Sequence, residues 1–251
     1  MNIKDVLIIL IGLIAGAINT VAGGGSALTL PALILFAGLP PSLANGTNRL
    51  GIFIQTIFAA FGFKSKGVSP FALGKKHSIA IGIMFLLGAT LGARLAIDIA
   101  DKLFSQILSV VMCLIVALTL FKPKATQKFT QHNKLSAIFQ FLVFFFIGLY
   151  AGIIQAGTGL LIILSLSIFS ELNLVKSNAL KTILVFMASI GTITMFAYHN
   201  KINFHYAILL GSGNAIGGWL MSRWSVGKAD KYIKFFMIGS VMIMAVKLWL
   251  F

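Results

Sequence analysis

Two glycine-rich polar breaks interrupt apolar stretches of the sequence, and they carry the residues best suited to bind a ligand. Adjacent glycines are poor helix formers, so each break leaves backbone N–H and C=O groups without helical partners. A helix that restarts after such a break presents free N–H donors and about half a positive charge, which favours an anion. We therefore predict that a small anion binds at the breaks, through Asn19, Thr20, Gly23, Gly24, Gly25 and Ser26 in the first and Gln155, Gly157, Thr158 and Gly159 in the second.

A packing role is the alternative for the same residues, because small residues let membrane helices approach closely. Non-helical backbone at membrane depth is tolerated only where it is buried in protein or lines a wet cavity. We favour the binding site, since a pair of polar breaks is more than packing alone requires.

More polar residues follow each break along the chain. Asn48 and Gln55 join the predicted substrate-binding set, because an amide inside an apolar segment needs a polar partner. We predict an access path for the anion along Thr47, Arg49, Asn178, Lys181 and Thr182. Two other roles stay open at this point: the cations could extend to the lipid head groups, and Asn45 and Asn178 could be helix caps.

The acidic residues lie near the ends of the apolar segments. They are Asp5, Asp98, Asp101, Glu171 and Asp230. Proton relays in membrane pumps usually rely on carboxylates inside the membrane, so we do not expect coupling through a buried acid. The sequence has no Walker motif, zinc-ligand cluster or Ser/His/Asp set, so we predict no enzyme activity, no metal and no cofactor.

The composition predicts an integral membrane protein. Of the 251 residues, 59% are hydrophobic and 10% are charged, and the mean hydropathy is +1.00. The formal net charge is +15, but the cations lie in short polar breaks between apolar runs. That distribution is typical of topology signals beside membrane helices. It gives no reason to expect a nucleic-acid partner, and membrane lipids are the expected partners.

Breaks in hydrophobicity predict an all-α protein with ten membrane segments. Two of them are too short to span the membrane as straight helices, and we interpret 26–38 and 159–170 as glycine-broken or re-entrant half-helices. The ten predicted segments are residues 5–22, 26–38, 43–63, 77–96, 103–121, 135–156, 159–170, 175–197, 205–222 and 230–250.

An internal repeat divides the chain into two halves. Gly12-Leu-Ile-Ala-Gly16 returns as Gly148-Leu-Tyr-Ala-Gly152, and four further matches follow in the same order, ending with Ala100-Asp-Lys102 and Ala229-Asp-Lys231. Each half contains about five of the predicted segments. The predicted division is a first repeat at 1–121, a basic cytoplasmic linker at 122–134 and a second repeat at 135–251.

Charge predicts that the two halves are inverted. Lysines crowd the breaks at 64–76 and 122–134, so both should face the cytoplasm. The repeat partner of the first of these loops, near 198–205, then falls on the outside. Opposite placement of equivalent loops is the mark of an inverted repeat, as in many transporter folds.

Three motifs at and after the first break are distinctive enough to compare with known families. They are Ala22-Gly-Gly-Gly-Ser-Ala-Leu-Thr-Leu-Pro31, Gly38-Leu-Pro-Pro41 and Ala44-Asn-Gly-Thr-Asn-Arg49, with an echo from Gly148 to Thr182. These motifs resemble the sulfite exporter TauE/SafE family of membrane permeases (the TSUP type), over essentially the full chain. The resemblance implies a multi-pass permease of a bacterial-type inner membrane, usually counted as about eight spans, that handles sulfite, sulfoacetate or other sulfonates.

Together these features predict a secondary transporter that moves small anions, such as sulfite or organosulfonates, by alternating access. A passive anion channel is the first alternative, and a membrane enzyme or insertase is the second. The sequence leaves open the substrate, the direction of transport, the coupling ion (H⁺ or Na⁺) and whether the chain forms a homo-oligomer.

Overall fold

A computed structural model describes residues 2–121 and 134–227, and all secondary structure in these two ranges is helical. The first nine predicted segments each overlap one helix. The tenth, 230–250, lies outside the described residues, as does all but the last residue of the predicted linker at 122–134. The helices are α1 (Ile3–Ala22), α2 (Ser26–Leu35), α3 (Pro41–Lys64), α4 (Lys75–Ile97), α5 (Asp101–Phe121), α6 (Lys134–Ile153), α7 (Thr158–Phe169), α8 (Leu174–Tyr198) and α9 (Phe204–Ser225).

Three of the described helices, α1, α4 and α8, are both long and apolar enough to cross a membrane. Helix α3 has a similar length of 24 residues but is less apolar, because Asn45, Asn48, Arg49 and Gln55 lie inside it and are buried. Helices α2 and α7 have 10 and 12 residues. At about 1.5 Å per residue they cover roughly half of a hydrocarbon core about 30 Å thick.

Helices α1, α3 and α9 begin at the same end of the bundle and run in the same direction. Asp5 in the first turn of α1 lies 3.3 Å from His205 in the first turn of α9, measured from Oδ1 to Nε2. At the other end, Arg223 of α9 donates to the hydroxyl of Ser65, just after α3, at 3.4 Å. We call these two ends of the bundle the His205 end and the Ser65 end.

Helices α4, α6 and α8 run from the Ser65 end to the His205 end. The short loop at 65–74 joins α3 to α4, so α4 begins at the Ser65 end. His77 in α4 lies 2.9 Å from Gln140 in α6, which places the start of α6 at this end as well. The loop at 199–203 joins α8 to α9, so α8 ends at the His205 end.

The two short helices fold back against the helices that precede them. Gly25, at the start of α2, packs so closely on the α1 backbone that no Cβ would fit. Leu33, near the end of α2, shares an apolar cluster with Ile8, near the start of α1. Similarly, Phe169 at the end of α7 contacts Phe139 of α6, with 5.9 Å between ring centroids. Each pair therefore forms a hairpin that turns inside the bundle.

Small residues set the closest helix contacts. Two glycines four residues apart on each helix let the backbones of α1 and α9 touch, and the same spacing recurs between α4 and α6. A Cβ at any of these positions would overlap the backbone of the facing helix. The glycines are Gly12, Gly16, Gly213 and Gly217 in the first contact and Gly88, Gly92, Gly148 and Gly152 in the second.

Candidate functional site

The two glycine breaks meet inside the bundle. The chain turns at Gly23, with a φ of 77°, and at Gly157, with a φ of 70°, which is the left-handed region that glycine adopts most readily. Gly23 and Gly159 then lie against each other, and a Cβ on either one would overlap the backbone of the other. The end of α1 and the start of α7 are thereby held in direct contact.

A cavity of about 30 Å³, lined mainly by buried residues, lies beside this contact. A volume of roughly 10–15 Å³ holds one water molecule, so the cavity has room for a few waters or a compact ion. Both breaks contribute residues to its wall. From the predicted substrate-binding set, the lining residues are Asn19, Thr20, Ser26, Gln55, Gln155, Thr158 and Gly159, and from the predicted access path they are Arg49, Lys181 and Thr182.

The cavity has three more hydroxyl side chains that the sequence analysis missed, those of Thr56, Ser189 and Thr192. A sequence signal for two of them exists. Thr56 follows Arg49 by seven residues and Ser189 follows Thr182 by seven, which is about two helical turns and therefore the same helix face.

Several predicted site residues lie beside the cavity without lining it. Gly23, Gly24, Gly25 and Gly157 form the turns. Asn48 accepts a hydrogen bond from the Thr29 hydroxyl at 2.6 Å, through Oδ1. The Thr47 hydroxyl oxygen accepts from the backbone N–H of Asn203 at 2.9 Å, near the His205 end. These residues support the breaks and the loops around them.

Lys181 of α8 binds the carbonyl end of α1. Its Nζ donates to the backbone oxygens of Asn19 and Thr20 at 2.7 and 2.9 Å, and to Oδ1 of Asn178 at 2.7 Å. The Asn178 amide nitrogen donates to the backbone oxygen of Val21 at 3.2 Å. The last carbonyls of a helix have no partner within it, so Lys181 and Asn178 satisfy those of Thr20 and Val21, while the Asn19 oxygen also accepts from the Gly23 N–H.

Arg49 of α3 donates hydrogen bonds to the backbone oxygens at the carbonyl end of α6. Its Nη1 donates to the backbone oxygen of Ala151 at 3.1 Å, and its Nη2 donates to that of Gly152 at 2.6 Å. Asn45, one turn earlier, donates to the backbone oxygen of Ile153 at 3.0 Å. The guanidinium also lies 4.6 Å from the ring centroid of Phe196, a cation–π contact.

This geometry corrects two interpretations of the sequence. Arg49 and Lys181 do not extend to the lipid head groups, because their exposed fractions are only 1% and 4%. Asn45 and Asn178 are not caps of their own helices. Each lies inside its helix and caps a helix from the other half of the chain, whereas the N-cap of α8 is Asn173.

The amides around the cavity differ in how well they are satisfied. The Gln55 side chain accepts from Asn19 at 3.0 Å and donates to the Thr20 hydroxyl at 3.2 Å, so these three residues form one hydrogen-bonded set. In contrast, Oε1 of Gln155 and Nε of Arg49 are buried without a partner among the described residues. Buried polar atoms normally have a partner. Nε of Arg49 is a donor and suits an anion, whereas Oε1 of Gln155 is an acceptor and suits a donor such as water.

The electrostatics of the cavity favour an anion. Arg49 and Lys181 line it, and none of its described lining residues is a carboxylate. Within the described ranges, neither cation forms an ion pair. Asp101 instead accepts from the Ser42 backbone N–H at 2.8 Å near the His205 end, and Asp98 pairs with Arg94 on the surface. Among the described residues, no three His, Cys, Asp or Glu side chains form a group that could hold a metal ion.

Comparison with known proteins identifies a family and several related membrane proteins. The family model described as "Sulfite exporter TauE/SafE" matches residues 8–248. A probable membrane transporter protein, ORF9, of Sinorhizobium sp is 27% identical over 94% of this chain and 88% of its own length. A probable membrane transporter protein of Haemophilus influenzae is 28% identical over 92% and 89%, and YfcA of Escherichia coli K12, also called a probable membrane transporter protein, is 27% identical over 95% and 87%.

No solved structure matches the chain. The match to the family model spans nearly the whole sequence, which confirms the resemblance found at the first break. With its long apolar helices, the chain is a multi-pass protein of the cell membrane, and it belongs to the sulfite exporter TauE/SafE family.

Proposed function

We propose that this membrane transporter is a secondary carrier that moves small anions through the cavity between its two broken helices. The observation that carries the proposal is a cavity lined by the buried cations Arg49 and Lys181, with no carboxylate among its described lining residues. Unpaired cations buried in a membrane protein are costly, so they mark a functional site by default. Relatives across nearly the full chain are named probable membrane transporters.

An anion in the cavity would meet several donors. Ser26 opens α2 and Thr158 opens α7, and both line the cavity, so the N-terminal ends of two helices are directed at it. Such ends favour negative charge. The unpaired Nε of Arg49 adds a charged donor. We assign direct contact with the anion to these groups.

We further propose that the chain consists of two inverted halves that move relative to each other around the cavity. Three observations support this. Helices that correspond in the two repeats run in opposite directions, namely α1 and α6, α3 and α8, and α4 and α9. The glycine contact between α1 and α9 recurs between α6 and α4. The Asn45 and Arg49 pair caps α6 as the Asn178 and Lys181 pair caps α1.

Sulfite and organosulfonates are the substrates we propose first. The family description names sulfite, and the sulfur oxyanion group is compact, with several oxygen acceptors for the donors around the cavity. A longer organosulfonate would need the cavity of about 30 Å³ to open, which movement of the halves could supply.

Uptake by proteoliposomes tests the proposal. Vesicles containing the purified chain are loaded with unlabelled sulfite, thiosulfate, sulfoacetate or a short carboxylate, and entry of the labelled anion is followed. We expect uptake of at least one sulfur oxyanion and faster entry when the same anion is inside, because a carrier exchanges its substrate across the membrane. If the rate of uptake does not depend on the internal anion, the chain acts as a passive channel. Failure of all these anions to enter or bind would contradict the proposal.

A further inference from the structure

Two phenylalanines of α3 have counterparts at equivalent positions of α8. Phe53 corresponds to Phe186 and Phe63 corresponds to Phe196, each 133 residues further along the chain. The two capping asparagines of α3 and α8 have the same spacing, so the two helices correspond in this register. We infer that Phe63 and Phe196 are the two gates of the transport path and that Phe53 and Phe186 form the pivot between them. The inference rests on the proposed function.

Phe196 lies between the cavity and the His205 end. Its side chain is 1% exposed, and a Cβ at Gly46, near the start of α3, would lie 2.7 Å from its ring carbon Cδ1. Arg49, which lines the cavity, places its guanidinium 4.6 Å from the ring centroid. Phe196 follows the lining residue Thr192 by about one helical turn, towards the His205 end. An anion that leaves the cavity in this direction therefore meets the ring.

Phe63 has the equivalent place at the Ser65 end. Its side chain is 0% exposed and belongs to an apolar cluster with Val21, Val175 and Ala179. Ala179 is the counterpart of Gly46, again 133 residues further along the chain. Each ring is therefore packed with the first turns of the facing helix. A buried apolar ring must move before an anion can pass it.

The stacked rings of Phe53 and Phe186 join α3 and α8 between the two gates. Their centroids are 5.2 Å apart and their planes differ by 15°. In an inverted repeat, the states open to the two sides arise when the two halves exchange their arrangements. This exchange converts a contact between a residue and its own counterpart into itself, whereas it converts one gate into the other. The stack therefore persists in both states.

The stack lies midway between the gates. On each helix ten residues separate the stacked ring from the gate, which is about 15 Å of helix. Because α3 and α8 are antiparallel, a tilt of one against the other about the stack opens one gate and keeps the other closed. A tilt of about 20° moves a gate by roughly 5 Å, about the width of an aromatic ring.

Access to a cysteine in the cavity tests the gates. Ser189→Cys, at a lining position, is combined with Cys113→Ser in membrane vesicles of both orientations. A charged methanethiosulfonate that cannot cross the membrane is added outside, and Asn200→Cys identifies vesicles whose His205 end faces the reagent. We expect Phe196→Ala to raise the reaction rate only from the His205 end and Phe63→Ala only from the Ser65 end. Each rise should be about fivefold or more, because the population open to that side increases.

Exposed aromatic neighbours provide matched controls. Phe61→Ala and Tyr198→Ala each remove a ring two residues from a gate, and these rings are 61% and 82% exposed, so both rates should stay unchanged. Phe53→Ala, at the stack, should leave the rates from the two sides balanced, because it removes neither gate. Phe63→Leu and Phe196→Leu should give smaller rises from the same sides, and they decide the question if the alanine variants do not fold.

The outcomes separate the gates from the proposed function. Equal access from both sides in the two gate variants, or a rise from the opposite side, would overturn the inference. A one-sided rise in Phe53→Ala would overturn the pivot. Anion exchange is measured in the same vesicles with the Cys113→Ser protein. Exchange without one-sided access would count against the gates alone, whereas one-sided access without exchange would count against the proposed function.

Discussion

The polar residues of the site divide into those whose hydrogen bonds are complete and those that have unpaired atoms. Gln55 is held at both ends of its amide, by Asn19 and Thr20. Gln155 has a buried oxygen with no partner in the described part of the chain. An unpaired buried oxygen lowers stability unless a donor such as a water molecule pairs with it.

Replacement of these two glutamines by alanine should affect different properties, anion binding for Gln155 and stability for Gln55. Gln155→Ala removes a cavity-lining amide that can donate to an anion through Nε2, so we expect weaker anion binding, by about 1–3 kcal/mol, with little change in melting temperature. Gln55→Ala leaves Asn19 and Thr20 without their partner, so the melting temperature should fall. Binding and thermal unfolding are measured on the same purified samples.

Gln55→Glu serves as the control for size and shape. It keeps the oxygen that accepts from Asn19, loses the donor to Thr20 and brings a negative charge to the proposed anion site, so it should reduce anion binding more than Gln55→Ala does. If Gln155→Ala destabilised the protein and left anion affinity unchanged, Gln155 would be a structural residue.

Residue types at the site could be predicted from the sequence, but their partners could not. The breaks and their polar residues are visible because they interrupt apolar runs. The crossed capping by Arg49 and Lys181 joins residues that are 102 and 162 positions apart in the chain. No local pattern encodes such contacts, so both cations could be interpreted equally well as residues at the membrane surface.

At the scale of the elements, the structure depends on the contact between the two breaks. Helices α1 and α7 meet at Gly23 and Gly159, and neither position has room for a Cβ. The sequence predicted two breaks and their meeting, because two halves with matching interruptions can share one site. It did not predict which glycines touch, since that depends on how deeply each hairpin enters the bundle.

Gly23→Ala should be more harmful than an alanine at another glycine with the same backbone. Gly23 and Gly67 have φ values of 77° and 74°, so both substitutions carry the cost of a left-handed backbone, about 1–2 kcal/mol. A Cβ at Gly23 also meets the backbone of Gly159 and Leu160, whereas a Cβ at Gly67 has nothing within 4 Å.

We expect Gly23→Ala to lower the melting temperature further than Gly67→Ala and to reduce anion uptake as well. Both are measured in the same lipid. Similar losses in the two variants would show that the close approach of the breaks contributes nothing beyond the turn at Gly23.

At the scale of the whole molecule, charge is distributed unequally between the two ends of the bundle. The Ser65 end carries Lys64, Lys66, Lys75 and Lys76 in and around one loop. The described aspartates Asp5, Asp98 and Asp101 lie towards the His205 end. This asymmetry supports a cytoplasmic Ser65 end by the positive-inside rule, and none of these three aspartates lines the cavity.

Neutralising these carboxylates should not abolish ion coupling. Asp98 and Asp101 are exposed, and Asp101 acts as an acceptor for the Ser42 backbone N–H, which asparagine can replace. We expect Asp98→Asn and Asp101→Asn to change the uptake rate less than about tenfold and to leave its dependence on a proton or sodium gradient intact. Loss of gradient dependence in a variant that still folds and exchanges anion would place that carboxylate on the coupling pathway.

The proposed inversion of the two halves predicts that the loops at 65–74 and 199–203 lie on opposite sides of the membrane. Helices α3 and α9 run parallel and in contact over their length. The loop that follows α3 and the loop that precedes α9 therefore lie at opposite ends of the bundle. Lys66 and Asn200 are exposed positions in these two regions. The native thiol, Cys113, is exposed and must first be removed by Cys113→Ser.

In that background, Lys66→Cys and Asn200→Cys are exposed separately to a maleimide that cannot cross membranes. We expect Asn200→Cys to react in intact cells and Lys66→Cys to react only after the cells are permeabilised. Asn200 has a φ of 56°, which disfavours cysteine, so transport by this variant is checked before labelling. Reaction of both positions from the same face would rule out the inverted arrangement, because the parallel helices α3 and α9 could then not both begin outside.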